Sequence, residues 1–198
     1  ELTVTTINNK LYCKYLVIAT GRLSKKLFKD DERYAGCGIS YCALCDGNLY
    51  KGKDVAVVGG GNSALEEALY LANICNTVTL IHRSDTFKGD QTLIDDVLSK
   101  NNIKCVYNSN ITEYNIENGK LTSLSLDNND KVYVSGLFIS IGSVPSAEVF
   151  DVKKEKGFIV VDANCMTNIE NVYACGDVIR KSVYQLTTAS SEGTIVAY

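Results

Sequence analysis

Several things this 198-residue chain lacks narrow its function before any motif is considered. It has one histidine and one proline. No partner triad is visible around the lone His82, and one histidine gives too few ligands for a histidine-rich metal centre. Charge of one sign is not in excess: 20 Lys and Arg stand against 23 Asp and Glu, a formal net charge of −3, and the isoelectric point is near 5.2. There is no basic face for nucleic acid or an anionic membrane. No apolar run approaches the length needed to span a bilayer, so the expectation is a soluble, cytoplasmic protein. No charged-then-apolar leader is visible. The first residue is Glu1 rather than Met, which raises the expectation that something upstream has been removed. What the chain has is 45 % hydrophobic residues, enough to bury a core in one large domain or two small ones.

Eight cysteines are many for a cytosolic chain, but six are scattered singly. Cys13, Cys37, Cys75, Cys105, Cys165 and Cys175 read as small hydrophobes beside strand-like or helix-like runs. Only Cys42 and Cys45 form a close pair. The pattern is not a secreted disulfide framework.

Residues 54–82 read as strand, glycine-rich turn, helix and strand. Asp54–Val58 is a short apolar run ending at Gly59-Gly60-Gly61, as a buried parallel strand would. Leu65, Ala68, Leu69 and Ala72 recur at helical spacing, and Thr77–Ile81 is the second strand of a βαβ unit. From about 103 to 141 the texture changes. Ile111–Ile116 and Leu121–Leu126 flank Asn118-Gly119, a strong hairpin signal, and Lys131–Ile141 follows as a third strand. This predicts an antiparallel meander over one face of the parallel sheet. Pro145 then marks a chain crossing. Tyr15–Gly21 and Gly136–Gly142 echo one another as apolar strands ending in a small-residue–glycine turn, the pattern of two related nucleotide-binding domains or of two unrelated buried strands.

Gly59-x-Gly61-x-x-Ala64 has the dinucleotide spacing. The first glycine permits a tight turn, the second admits a pyrophosphate close to the backbone, and a small third residue lets helix pack on strand. Asn62, Ser63 and Ala64 then offer free N–H groups at the positive end of the helix. The turn follows a strand and opens a helix, the context that gives the pattern its meaning. Where an acidic residue would bind the ribose of NADH, the sequence reads His82-Arg83-Ser84. Arg83, with Lys88 beyond it, can accommodate a 2′-phosphate, favouring NADPH over NADH; solvated surface charge is the plainer alternative. His82 fits a nucleotide edge better than a general base.

Cys42-Ala43-Leu44-Cys45-Asp46-Gly47 precedes this unit. Two thiols so spaced can close a small ring, a helix start lowers a thiolate pKa, and Asp46 can move the proton that thiol–disulfide exchange requires. Zinc would need a second cysteine pair or a Cys/His pair, which the sequence does not contain. A purely structural pair is the other alternative.

Together these residues resemble the low-molecular-weight thioredoxin reductases. The resemblance rests on the Cys42–Gly47 run, on Gly59–Ala68, on His82-Arg83-Ser84-Asp85-Thr86-Phe87-Lys88, and on Val172-Tyr173-Ala174-Cys175-Gly176-Asp177-Val178 with Gln185 after it. It implies an α/β fold: a Rossmann-like NAD(P)H-binding domain with the antiparallel meander, over residues 25–137, flanked by FAD-binding pieces at 1–24 and 138–198. It implies FAD and NADPH as cofactors, with NADH possible, and a homodimer that reduces thioredoxin or a similar small disulfide protein. Cys45 would face the flavin, Cys42 would attack the partner disulfide, and Asp46 would serve as acid and base. Asp177 would hold the ribityl or phosphate region of the flavin, with Gly176 and Gln185 nearby.

Three departures qualify it. The family's first FAD βαβ unit, with its own glycine turn, is not in this sequence, so the chain as given is expected to be a fragment that binds flavin weakly or not at all. Ser84 and Lys88 stand where arginines are usual, which weakens the coenzyme preference. Tyr184 precedes Gln185 where arginine is common. Alternative readings are a flavoprotein reductase with a peroxiredoxin-type acceptor or a ferredoxin donor, and a non-catalytic nucleotide-sensing module.

Overall fold

Short apolar strands that alternate with helices leave a parallel sheet buried on both faces. A computed structural model describes residues 2–34 and 36–198, in two compact units: Ser24–Gly142, and Glu1–Leu23 with Ser143–Tyr198.

The first unit runs from β1 (Ile39–Ser40) and α1 (Ala43–Asp46) to β2 (Asp54–Gly59), α2 (Asn62–Ala72), β3 (Thr77–Ile81), α3 (Gln91–Ser99) and β4 (Ile103–Val106). The meander follows as β5 (Ile111–Glu117), β6 (Lys120–Leu126) and β7 (Lys131–Tyr133), and β8 (Gly136–Ser140) closes the unit. The five-stranded parallel sheet has the order β1-β8-β2-β3-β4. Alternation along its strands sorts two cores. Val55, Val57 and Phe138 face α2 and α3, where they meet Leu65, Ala68, Leu71 and Val97. Ala56, Val58, Leu137 and Ile139 face the other way, onto Tyr114, Leu121, Leu124 and Leu126 of the meander. The meander thus covers one sheet face, as the sequence implies, and Asn118 and Gly119 both take positive φ at its hairpin, the requirement of a type I′ turn.

One sequence expectation needs correction. Lys131–Ile141 is two strands, because Val134 and Ser135 carry the chain from the meander edge into the interior of the parallel sheet. The compact unit runs on to Gly142, and β8 pairs along its whole length with β2. The crossing expected at Pro145 lies within Ser143–Pro145, where the chain enters the other unit.

The second unit pairs Leu16–Ile18 with Val172–Ala174 in parallel around a core of Ile18, Ile159, Val172, Ala174 and Val178. A hairpin of Leu2–Thr5 with Lys10–Cys13 precedes this pairing. The helix Leu186–Ala197 ends the unit. Of the scattered cysteines, Cys75, Cys165 and Cys175 are buried, while Cys13, Cys37 and Cys105 are half-buried. Among the described residues no helix is long and apolar enough to cross a membrane.

A buried acid stitches the strap that leads into the first unit. Asp31 is 2 % exposed. It accepts from the Leu27 and Phe28 N–H groups at 2.7 and 3.1 Å, and from the Tyr41 and Tyr114 hydroxyls at 3.0 Å each. Burial, reinforced by this carboxylate, holds both phenols well above the ordinary tyrosine range. Because Tyr41 adjoins Cys42, the same stitch fixes the approach to the cysteine pair. Asp31→Asn turns an acceptor into a donor facing donors, and is expected to lower stability by about 3 kcal/mol. A fall in the urea midpoint at unchanged slope checks this.

Candidate active site

The turn after β2 lies where the strand order reverses, with β8 on one side of β2 and β3 on the other. Such switch points leave a crevice at the carboxyl ends of the strands. Here it is a cleft of about 600 Å³. All eight residues predicted to hold the coenzyme line it: Gly59, Gly61, Asn62, Ser63, Ala64, His82, Arg83 and Lys88.

The glycines divide the work. Gly59 has φ +153°, and a methyl group there would collide with the Ser140 carbonyl oxygen. Nothing lies within 4 Å of the corresponding position at Gly61. One side of the turn is pressed against β8 and the other is open, as a backbone that must meet a diphosphate requires. This geometry fits the pyridine coenzyme. Gly60 adds a constraint of its own, because a methyl there would strike the His82 ring.

His82 is the surprise among the predicted residues. It is 6 % exposed, its ring tilts against Phe87, and Nε2 lies 3.0 Å from the Thr86 carbonyl oxygen. A carbonyl only accepts, so Nε2 carries the hydrogen. The ring forms the floor beneath the turn, not an exposed edge. Asn62 is also occupied: its amide donates to Asp90 Oδ2 and accepts from the Asp90 N–H, both at 2.8 Å. That clamp, with the Lys88 N–H bonded to the Gly60 carbonyl at 2.7 Å, ties the loop bearing Arg83 and Lys88 to the glycine turn. Both cations remain exposed at the rim.

The cysteine pair lies in the same unit. Cys42 and Cys45 are joined as a disulfide. Cys42 caps the short α1, and its Sγ accepts from the Cys45 N–H at 3.1 Å. Cys45 is exposed and Cys42 half-buried. Ala43 and Gly47 anchor the helix on α2, the latter against Tyr70 and Leu71. Ser40 belongs to no motif in the sequence. Its buried hydroxyl accepts from the Cys42 N–H at 3.1 Å and donates to Asp46 Oδ2 at 2.7 Å, so Asp46 is held toward the pair by an internal brace. Glu67 lies nearby with a buried, unpartnered Oε2. Burial pushes its carboxyl above the usual range, against the Ala43 N–H and Ser140, which act to lower it.

The second unit holds another cleft, of about 590 Å³, lined by Gly176, Asp177 and Gln185. The three residues predicted to contact flavin thus come together. Gly21, with φ +65° and open space where a side chain would be, also lines this cleft and leaves that part of the wall open. The fit to a flavin dinucleotide rests on that open wall and on a buried, unsatisfied donor, Arg22 Nε.

Residues 2–193 match the sequence profile of the pyridine nucleotide-disulphide oxidoreductases. The chain belongs to that family. It is 40 % identical to the glucosaminate ammonia-lyase of Pseudomonas fluorescens, over 98 % of this chain and 66 % of the relative. It is 39 % identical to a thioredoxin reductase of Buchnera aphidicola, over 96 % of this chain and 65 % of the relative. It therefore spans just under two thirds of these relatives. The crystal structure of Lactococcus lactis thioredoxin reductase in its FR conformation superposes with a TM-score of 0.81 at 31 % identity, covering 98 % of this chain and 67 % of that one.

Family membership accounts for the two clefts and the cysteine pair. It does not by itself point to Lys25, Ser109 and Asn110, which also line the first cleft. They come from the strap and from the loop before β5, and no spacing in the sequence joins them to the glycine turn.

Proposed function

We propose that this chain carries the electron-transfer machinery of a thioredoxin reductase, a cytoplasmic homodimer that uses NADPH and FAD. The observation that carries this reading is a cysteine pair already closed as a disulfide, braced by Ser40 and Asp46 in the same unit as the dinucleotide cleft. Thioredoxin reductases among the relatives and solved structures support thioredoxin as the acceptor.

In this reading the Gly59–Ala64 turn holds the coenzyme diphosphate, while Arg83 and Lys88 take a 2′-phosphate. His82 shapes the floor, and Gly176, Asp177 and Gln185 hold the flavin. When bound, NADPH and FAD supply an electron pair. This chain's residues then receive and pass it on. Two electrons and two protons cleave the Cys42–Cys45 bond to two thiols. Cys42, as the thiolate, attacks one sulfur of the partner disulfide and forms a mixed disulfide, while the partner's other sulfur leaves and is protonated. The Cys45 thiolate then attacks Cys42 sulfur, restoring the internal bond and freeing the partner as a dithiol. Asp46 takes and returns the proton at these sulfurs. Leu44 and Leu49, both exposed beside Cys45, give the pair an apolar rim.

Anaerobic stopped-flow mixing of the complete protein with NADPH or NADH tests the reading. NADPH is expected to bleach the flavin and release two thiols at 42 and 45, with NADH slower by about tenfold or more, because it lacks the phosphate that Arg83 and Lys88 would bind. If no thiols appear with either coenzyme, the proposal is wrong.

A further inference from the structure

Arg22 is the unpaired cation of the second cleft. Lys181, the other cation beside that cleft, lies 2.9 Å from Glu192 and 3.5 Å from Asp177, so its charge is already balanced. Among the described residues Arg22 joins no ion pair. Its guanidinium sits instead 4.8 Å from the centre of the Tyr184 ring and 5.4 Å from that of Phe158. One Nη donates to the Ser143 carbonyl oxygen at 3.2 Å, and Nε is buried with no acceptor at all.

A guanidinium has five donors and keeps its charge at any physiological pH. Aromatic faces orient such a group and strip water from it, but they supply no acceptor oxygens. Here they leave an ordered, partly desolvated cation on the wall of a cleft shared with Gly176, Asp177 and Gln185. The group that completes it is a negatively charged acceptor oxygen arriving with a ligand. The Tyr184 ring holds the Arg22 guanidinium at the cleft that both residues line.

We infer that Arg22 is a cofactor-binding residue that donates charge-assisted hydrogen bonds to an anionic oxygen of the flavin dinucleotide. This rests on the reading of the cleft as a flavin site. The cation reaches the cleft from the strand after Gly21.

The test uses the complete protein as wild type, Arg22→Gln and Arg22→Lys, each stripped of flavin and titrated with FAD while flavin fluorescence is followed. The melting temperature of each apoprotein is measured alongside. Arg22→Gln is expected to weaken FAD binding by about tenfold or more at an unchanged apoprotein melting temperature, and Arg22→Lys to recover part of the loss. The midpoint potential of the bound flavin then locates the oxygen. A more negative potential in Arg22→Gln places it on the ring, and an unchanged potential places it on the diphosphate. Equal FAD affinity in Arg22→Gln and wild type overturns the inference. So does a loss of affinity that tracks a fall in apoprotein melting temperature and that Arg22→Lys leaves unrepaired, because that is the signature of a packing role. A wild-type protein that takes up no FAD overturns the reading of the cleft itself, independently of what Arg22 does.

Discussion

Cys45→Ser in the complete protein is expected to lower turnover with thioredoxin by at least about a thousandfold. A serine hydroxyl cannot close the bond to Cys42, so no internal disulfide exists to be reduced and none can re-form to release the product. The same variant should still pass electrons from NADPH to a one-electron acceptor such as ferricyanide, since that route does not need the sulfur pair. The two assays together separate loss of exchange chemistry from loss of fold. α1 packs through Ala43 and Gly47 while Cys45 is exposed, so the substitution disturbs no core contact. Turnover within tenfold of wild type would show that the pair carries no electrons, and would favour the nucleotide-sensing module instead.

The glycine turn yields a second large effect with opposite signatures at neighbouring positions. Gly59→Ala places a methyl against the backbone oxygen of Ser140 at a φ of +153°. Backbone meets backbone there, so no side-chain rotation relieves the clash, and either the end of β8 or the turn must move. A loss of about 3 kcal/mol in stability is expected, together with loss of coenzyme binding, because the displaced strands form the cleft wall. Gly61→Ala behaves differently. Its φ of −95° suits alanine and no atom lies within 4 Å, so the fold should be unaffected. The methyl instead projects onto the open side of the turn and is expected to weaken NADPH binding by about tenfold or more. Thermal melts and coenzyme titration of both variants check the contrast. If Gly61→Ala binds NADPH as wild type does, the coenzyme diphosphate does not approach this face.

The reach of local sequence information is visible in particular residues. The βαβ unit at 54–82 was legible because its strands are uniformly apolar, its helix keeps a 3.6-residue period, and its turn needs glycine for steric reasons that act within a few residues. The hairpin at Asn118-Gly119 was legible for the same reason. The fate of 131–141 was not. Nothing in the run marks where one strand stops and the next begins, and which sheet each joins depends on partners far away in the chain. His82 follows β3 in the sequence, but only the folded turn, which brings Gly60 against its ring, makes that ring the floor of the cleft.

The amino-acid order by itself determined the chemistry available to this protein: a dithiol pair with a carboxyl beside it, a glycine turn for a diphosphate, and cations for a phosphate. These depend on neighbours in sequence, and short-range geometry fixes them. Only the tertiary structure decided which groups share a cleft. Ser40 braces Asp46, Asn62 clamps Asp90, Asp31 holds Tyr41 and Tyr114, and Arg22 meets Tyr184 across 162 positions of chain. No periodicity encodes such meetings, because they arise where turns, helix ends and strands, most of them far apart in the chain, are brought together by burial of apolar faces elsewhere in the fold.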